Sequence, residues 1–213
     1  MNYETFCNHC GKKNIISIEQ IKSENNNKKL PLEFIVEDII KDLKHGTRFQ
    51  ILSERLLGIT IHQSATEKVL AGSNPYGYAA HHVDFNEWNN IAYHRVNQPD
   101  GVIYKTLKIN HKGNHAGYRG RSGDENRQFL GICFSGNFDS ERMEEIQYKA
   151  GIASIVDLYE EGRDAGLMPD IDKLIINTHT SINPHKSCPG KLFPFEQMKN
   201  EAFELLKLKY GGK

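Results

Sequence analysis

From about residue 50 onward, strand-like and helix-like segments alternate along the chain, and this alternation constrains the fold more than any other feature. It is the pattern of an α/β domain, in which a sheet is covered by the helices that connect its strands. Leu56 to His62 reads as an aliphatic, β-branched strand that runs into a Ser-Ala-Thr loop. Tyr76 to Trp88 reads as a helix beginning after Asn74-Pro75, since proline in a first turn gives up no helical hydrogen bond. Ile91 to Asn97 and Val102 to Leu107 flank Gln98-Pro-Asp-Gly101. The proline and glycine of that turn make the pair a hairpin. Phe129 to Ser135 is an apolar run bounded by loops and reads as a buried strand, preceded by a long Gly-rich loop from Asn110 to Arg127. Ser140 to Ala165 is the longest helix, with Ser140 as N-cap and acidic residues in its first turns. Leu174 to Asn177 is the last strand, and Phe195 to Leu208 closes the domain as an amphipathic helix. A central mixed sheet flanked by helices is the expected fold.

The first 46 residues read differently, as a small appendage before a main domain of residues 47–213. They contain Cys7-x-x-Cys10, a polar tract from Lys22 to Lys29, and then a helix over Leu32 to Leu43. The helix rests on Ile35, Val36, Ile39, Ile40 and Leu43 at helical spacing, between Pro31 and Gly46. So short a helix is unstable alone in water, so it should pack on the main domain. The cysteine pair looks like one half of a zinc ribbon, without the second Cys-x-x-Cys that would complete four ligands.

Charge narrows the function classes. Lys+Arg and Asp+Glu are both 27 in the 213 residues, so the net charge is +0 and no polyanionic partner is called for. Nucleic acid and acidic membranes are disfavoured as partners. No apolar run approaches the roughly 18 residues of a membrane span, and the N-terminus lacks the basic-then-apolar pattern of a signal peptide. A cytoplasmic chain with no membrane insertion is expected. The cysteines at 7, 10, 133 and 188 are too few and too uneven for a disulfide framework and suit a reducing compartment.

The segment from Asn177 to Gly190 offers His179 and Cys188 as a metal pair, and His62 at the end of its strand is a natural third ligand. Imidazole and thiolate are ligands zinc prefers, and three of them leave a tetrahedral position open for a reactive water. Each residue alone has a plainer reading: His62 as a hydrogen-bonded structural histidine, a buried cysteine as inert packing. Cys188, however, sits in a polar turn punctuated by Pro189 and Gly190, where packing does not ask for a thiol.

Together these segments resemble the zinc-dependent N-acetylmuramoyl-L-alanine amidases of the type 2 family, which includes phage endolysins and peptidoglycan recognition proteins. The resemblance spans residues 55–207 and rests on five elements in the family's order. They are Ile59-Thr-Ile-His62-Gln-Ser-Ala-Thr66; Trp88-Asn-Asn-Ile-Ala-Tyr93-His94; Asp100-Gly-Val-Ile-Tyr104; Asn114-His115-Ala116 followed by Leu130 to Phe138; and His179 with Cys188-Pro-Gly190. It implies that His62, His179 and Cys188 bind zinc and that Tyr93 and Lys186 are catalytic. It further implies that His94 and His115 contact the substrate or stand behind the ligands. His81, His82, His111 and His185 are left as surface residues, with His185 near enough to compete as a ligand. Some family members carry a glutamate on the strand equivalent to Leu130–Phe134; here that position is apolar or Cys133, which shifts the chemistry onto Tyr93 and Lys186.

The implied reaction is cleavage of the amide between N-acetylmuramic acid and L-alanine by zinc-activated water, with peptidoglycan or a muropeptide as substrate, in a phage or prophage endolysin. A cytoplasmic muropeptide-recycling amidase is one alternative, although such enzymes tend to carry Asp where Cys188 stands. A non-catalytic peptidoglycan-binding module is another. The loops Gly72–Tyr78 and Lys112–Arg127 are expected to hold the specificity.

Overall fold

A computed structural model describes residues 13–18, 32–117 and 125–211, and its seven strands join one sheet. In chain order they are β1 (Lys13–Ile18), β2 (Leu32–Asp38), β3 (Gly58–Gln63), β4 (Arg95–Asn97), β5 (Ile103–Lys105), β6 (Phe129–Phe134) and β7 (Ile175–Thr178). The helices are α1 (Pro75–Ala80), α2 (Glu125–Gln128), α3 (Glu145–Asp164), α4 (His179–Ile182) and α5 (Phe195–Tyr210). Across the sheet the order is β1-β2-β5-β4-β6-β3-β7. The pairs β2/β5, β4/β6, β3/β6 and β3/β7 are parallel, whereas β1/β2 and β4/β5 are antiparallel. The sheet is therefore mixed and flanked by helices, as expected from the sequence.

Every residue of β3 and β6 is buried, which is why both read as near-continuous apolar runs. Alternation along each strand still sorts the side chains between two faces. Ile59 and Ile61 of β3 and Leu130, Ile132 and Phe134 of β6 join the main core with Ile155 and Leu158 of α3 and Met198 and Leu206 of α5. On the opposite face Val96 and Cys133 pack with Tyr78 and Ala79 of α1 and with Ile91 and Leu107. By the same alternation His62, one step beyond Ile61, belongs to the α1 face. Arg95 of β4 is fully buried and ties the sheet to α3 through Asp157 at 2.9 Å and through Glu161. Lys105 adds a second cation on Glu161 at 2.8 Å.

The segment expected as a helix over Leu32 to Leu43 is instead the strand β2 followed by a single turn. Phe34 and Val36 are buried against Ile103, Ala150 and Ala153 while Ile35 is 38% exposed, a period of two and not of 3.6. The helical signal came from Ile39 and Leu43, which are both buried and joined by one i→i+4 bond, Leu43 N donating to Ile39 O at 3.2 Å. Pairing of β2 with β5 along Val36–Asp38 supplies the backbone partners that a local helix would otherwise have to provide.

Three other boundaries move. α3 starts at Glu145 because Ser140 is engaged in a turn, its N–H donating to Asn137 O at 3.0 Å and its hydroxyl to the same oxygen at 3.3 Å. The helix expected from Tyr76 to Trp88 is α1 continued by a five-residue π-helix, His81–Phe85. Only Arg95–Asn97 of the expected strand Ile91–Asn97 is extended. Among the described residues no helix is long and apolar enough to cross a membrane. Cys7-x-x-Cys10 lies outside the described residues.

Candidate metal centre

Strand register brings the first two candidate ligands together. β3 and β7 run parallel with Ile61 opposite Thr178, so His62 and His179, each one residue further on, sit side by side at the ends of adjacent strands. Their ring centroids are 4.9 Å apart. His179 opens α4, whose N-cap Thr178 forms a reciprocal capping box with Ser181 and so fixes the sharp exit from β7.

Cys188 is brought back to this pair by the same short helix. Thr180 donates to the Cys188 carbonyl through its backbone N–H at 2.9 Å and its hydroxyl at 2.6 Å. The Gln63 N–H donates to Cys188 Sγ at 3.2 Å. Gly190, at φ +105°, makes the return possible, since a Cβ there would lie 2.5 Å from the Phe138 backbone. Potential ligand atoms of His62, His179 and Cys188 all fall within 4.8 Å of one another.

Two residues that the sequence reading missed hold this loop. Asp139 Oδ2 accepts from Ser187 Oγ at 2.6 Å and from Gln63 Nε2 at 3.1 Å, and its Oδ1 accepts from the Lys191 N–H at 3.3 Å. Gln63 Oε1 in turn accepts from the Phe138 N–H at 2.6 Å. Gln63 is next to a ligand in sequence and carried that much signal. Asp139 had none, because only the fold brings it to Ser187.

The electrostatics favour neutral ligands with available lone pairs. Burial holds His62 well below the ordinary imidazole range, helped by His115 and His179. Burial pushes His179 down to about 4, with the Lys186 charge adding to it. Burial also raises the Cys188 thiol to about 12, although the Gln63 N–H and Lys186 oppose the rise. His179 Nε2 is buried and has no hydrogen-bond partner. Such an orphaned buried nitrogen is costly unless something binds it. Two imidazoles and a thiol converging with an unpartnered nitrogen among them fit a zinc-type cation.

Tyr93 is half-buried with its ring 5.4 Å from that of His62. Burial raises its phenol well above the ordinary range, and Cys133 and Cys188 add to the effect, so the hydroxyl remains a proton donor. Tyr93 also lines a cavity of about 520 Å³ between α1 and the 64–73 loop, together with Ser64, Thr66, Ser73, Tyr78 and His82. Lys186 is exposed at the rim and acts on His179 and Cys188 through its charge.

The other histidines agree with expectation only in part. His94 is fully buried, its Nδ1 accepting from Gly131 N–H at 3.1 Å and its Nε2–H donating to His111 O at 2.8 Å. It has no nitrogen left for a substrate. His115, 4% exposed, lies behind His62 with its Nδ1 3.0 Å from His62 Nε2, so it too is removed from direct substrate contact. His82, expected at the surface, is buried with its Nδ1 accepting from Ala92 N–H at 3.2 Å and its ring stacked on Trp88. His185 is exposed and stands outside the ligand cluster. Cys133, on the strand where some family members carry a glutamate, pairs with His62 across β3/β6 and is fully buried.

A mixed, helix-flanked sheet with a His/His/Cys cluster at the ends of two parallel strands defines an α/β protein with a candidate open metal site. Residues 53–191 match the model of the N-acetylmuramoyl-L-alanine amidase family, and the chain belongs to that family. The fold is similar to that of N-acetylmuramoyl-L-alanine amidase LysC from Clostridium intestinale, with TM-score 0.61 and 23% identity over 78% of this chain and 95% of that one. It is also similar to bumblebee PGRP-SA, with TM-score 0.61 and 21% identity over 78% of this chain and 93% of that one. A Drosophila PGRP-LB variant in complex with tracheal cytotoxin aligns with TM-score 0.61 and 18% identity over 77% of this chain and 92% of that one. No curated protein matches the chain in sequence.

Proposed function

We propose that this chain is a zinc-dependent N-acetylmuramoyl-L-alanine amidase of the endolysin type, which cleaves the amide between N-acetylmuramic acid and the L-alanine of the stem peptide. The observation that carries the reading is the convergence of His62, His179 and Cys188 within 4.8 Å, with His179 Nε2 buried and unpartnered. Similarity to an amidase from Clostridium and to a recognition protein that holds tracheal cytotoxin supports peptidoglycan or a muropeptide as the substrate.

In this reading His62, His179 and Cys188 hold the metal and leave one position open. Zinc, when bound, supplies the Lewis acidity that activates water and polarises the amide carbonyl. Tyr93, kept protonated by burial, donates a hydrogen bond to the oxygen on which negative charge develops as the amide is attacked. Lys186 adds positive charge at the rim, where the same developing charge is stabilised. The groove beside Tyr93, lined by the hydroxyls of Ser64, Thr66, Ser73 and Tyr78, orients the scissile bond. Those hydroxyls are linked in sequence, Ser64 to Thr66 at 2.8 Å, Thr66 to Ser73 at 2.8 Å and Ser73 to Tyr78 at 2.9 Å, so the wall is preorganised.

The test is zinc content in the full chain and its variants. His62→Ala and Cys188→Ala should each carry one zinc fewer per chain than the wild type. Either variant retaining the wild-type stoichiometry while folded would remove that residue from the ligand set.

A further inference from the structure

We propose that His115 is the positioning residue that fixes the tautomer of His62, so that its Nδ1 lone pair faces Cys188 and not the interior. The proposal starts from a carbonyl. His115 Nε2 is 2.9 Å from Phe129 O, and a carbonyl oxygen only accepts, so this nitrogen carries a proton and donates it. Burial at 4% exposure disfavours the imidazolium, and in the neutral ring the other nitrogen, Nδ1, is then a bare acceptor. That acceptor lies 3.0 Å from His62 Nε2. Two lone pairs cannot face each other at this distance, so His62 Nε2 carries the proton and donates it to His115. His62 Nδ1 is consequently unprotonated, and it is this atom that stands 3.7 Å from Cys188 Sγ.

The fold around His115 is built for that ring. A Cβ on Gly131 would lie 2.7 Å from His115 Cγ and 2.9 Å from its Cδ2, so only glycine at this point of β6 leaves room for the imidazole. The Gly131 N–H, meanwhile, donates to His94 Nδ1 at 3.1 Å, and the His94 ring stands edge-on to that of His115 with centroids 6.3 Å apart. His115 thus links a backbone carbonyl, Phe129 O, to the candidate ligand His62, while His94, held by Gly131 N–H and His111 O, packs against the His115 ring. A histidine ligand depends on what its distal nitrogen donates to, and losing such a partner typically costs about 10- to 100-fold in metal affinity.

The consequence for affinity rests on the metal reading above, but the tautomer does not, and the experiment separates the two. Long-range 1H–15N correlation spectra of histidine-labelled, metal-free protein at neutral pH should show His62 and His115 both protonated at Nε2 and bare at Nδ1. In His115→Phe, which keeps a ring but offers no acceptor, His62 should populate the Nδ1–H form, and the zinc dissociation constant should rise about 10- to 100-fold. His115→Asn, which places an amide oxygen where Nδ1 was, should restore both the tautomer and most of the affinity. Finding His62 protonated at Nδ1 in the wild type overturns the proposal and needs no variant to fold. So does a folded His115→Phe with wild-type tautomer and affinity. A wild type with the expected tautomer that binds no zinc supports the positioning role and sinks the metal reading alone.

Discussion

Gly58 of β3 lies directly against the Ile175 backbone of β7, and replacing it with alanine should drive the two strands apart. A Cβ at this position would lie 1.7 Å from the Ile175 carbonyl oxygen and 2.7 Å from its carbon, whereas real Cβ atoms essentially never approach within 3.0 Å. Relief requires about 1.3 Å of movement in backbone, with no flexible side chain to absorb it. Forced expansion of packed structure costs about 1–3 kcal/mol. The adjoining bond from Ile175 N–H to Leu57 O, 3.0 Å long, is the first to stretch. Its loss adds about 1 kcal/mol. Gly58→Ala should therefore destabilise the protein by about 2–4 kcal/mol, a fall in Tm of about 5–15 °C for a chain of this size. Urea unfolding with a shared m-value measures the first quantity and thermal denaturation the second. Because β7 runs directly into His179, the same displacement should weaken zinc binding, read by competition titration. Gly72→Ala is the control: nothing lies within 4 Å of a Cβ there, so stability should stay within about 0.5 kcal/mol of wild type. A Gly58→Ala protein as stable as that control, with unchanged zinc affinity, would refute the close approach of β3 and β7.

Tyr93→Phe and Lys186→Ala should each retain wild-type zinc and lose about 10²- to 10³-fold in turnover, since neither is a ligand and each acts on charge that develops during the reaction; near-normal rates in either would assign the role elsewhere. Arg95→Ala should cost about 3–5 kcal/mol in urea unfolding, because it leaves Asp157 and Glu161 of α3 facing the sheet without their buried cation. Burial alone would raise the Glu161 carboxyl, but Arg95 and Lys105 outweigh it and hold it below the usual range. A depressed carboxyl stabilises fully above the unfolded value near 4.3 and loses that contribution as pH falls through the folded value. The stability gap between wild type and Glu161→Gln should accordingly be constant near neutrality and close as pH drops below about 4. Deleting residues 1–46 removes the buried Phe34, Val36, Ile39 and Leu43 and uncovers Ile103, Ala150 and Ala153. At about 1.5–3 kcal/mol per buried side chain this should abolish cooperative unfolding; a truncated chain that still melts sharply would mean β2 is dispensable to the sheet.

Much of this architecture was legible in the sequence because the signals were local. The apolar runs of β3 and β6, the Pro-Gly turn between β4 and β5, and the last two long elements needed only periodicity and turn chemistry. β2 was misread because Ile39 and Leu43 carry a true one-turn helical spacing, while the decisive fact, the pairing of Val36 with Ile103, is non-local. The candidate ligands were legible by residue type and strand position, and the β3/β7 register brings His62 and His179 together. His82 was misplaced because nothing local in the sequence shows that Ala92 N–H would hold its Nδ1 and Trp88 would stack on its ring. A histidine held by backbone groups, as both nitrogens of His94 are, looks in sequence like any other histidine. Asp139 escaped notice because an aspartate after Phe138 declares nothing until Ser187 and Gln63 fold onto it.

The central claim is that the chain cuts the lactyl amide of peptidoglycan with a metal held by His62, His179 and Cys188. The most direct measurement is product analysis on purified peptidoglycan, scoring new free α-amino groups on L-alanine against new reducing sugar ends. The expected result is accumulation of L-alanine amino termini with no gain in reducing ends, abolished by removing the metal with a chelator and restored by adding zinc. New reducing ends, amino termini at other stem-peptide residues, or undiminished release from verified metal-free protein would contradict it.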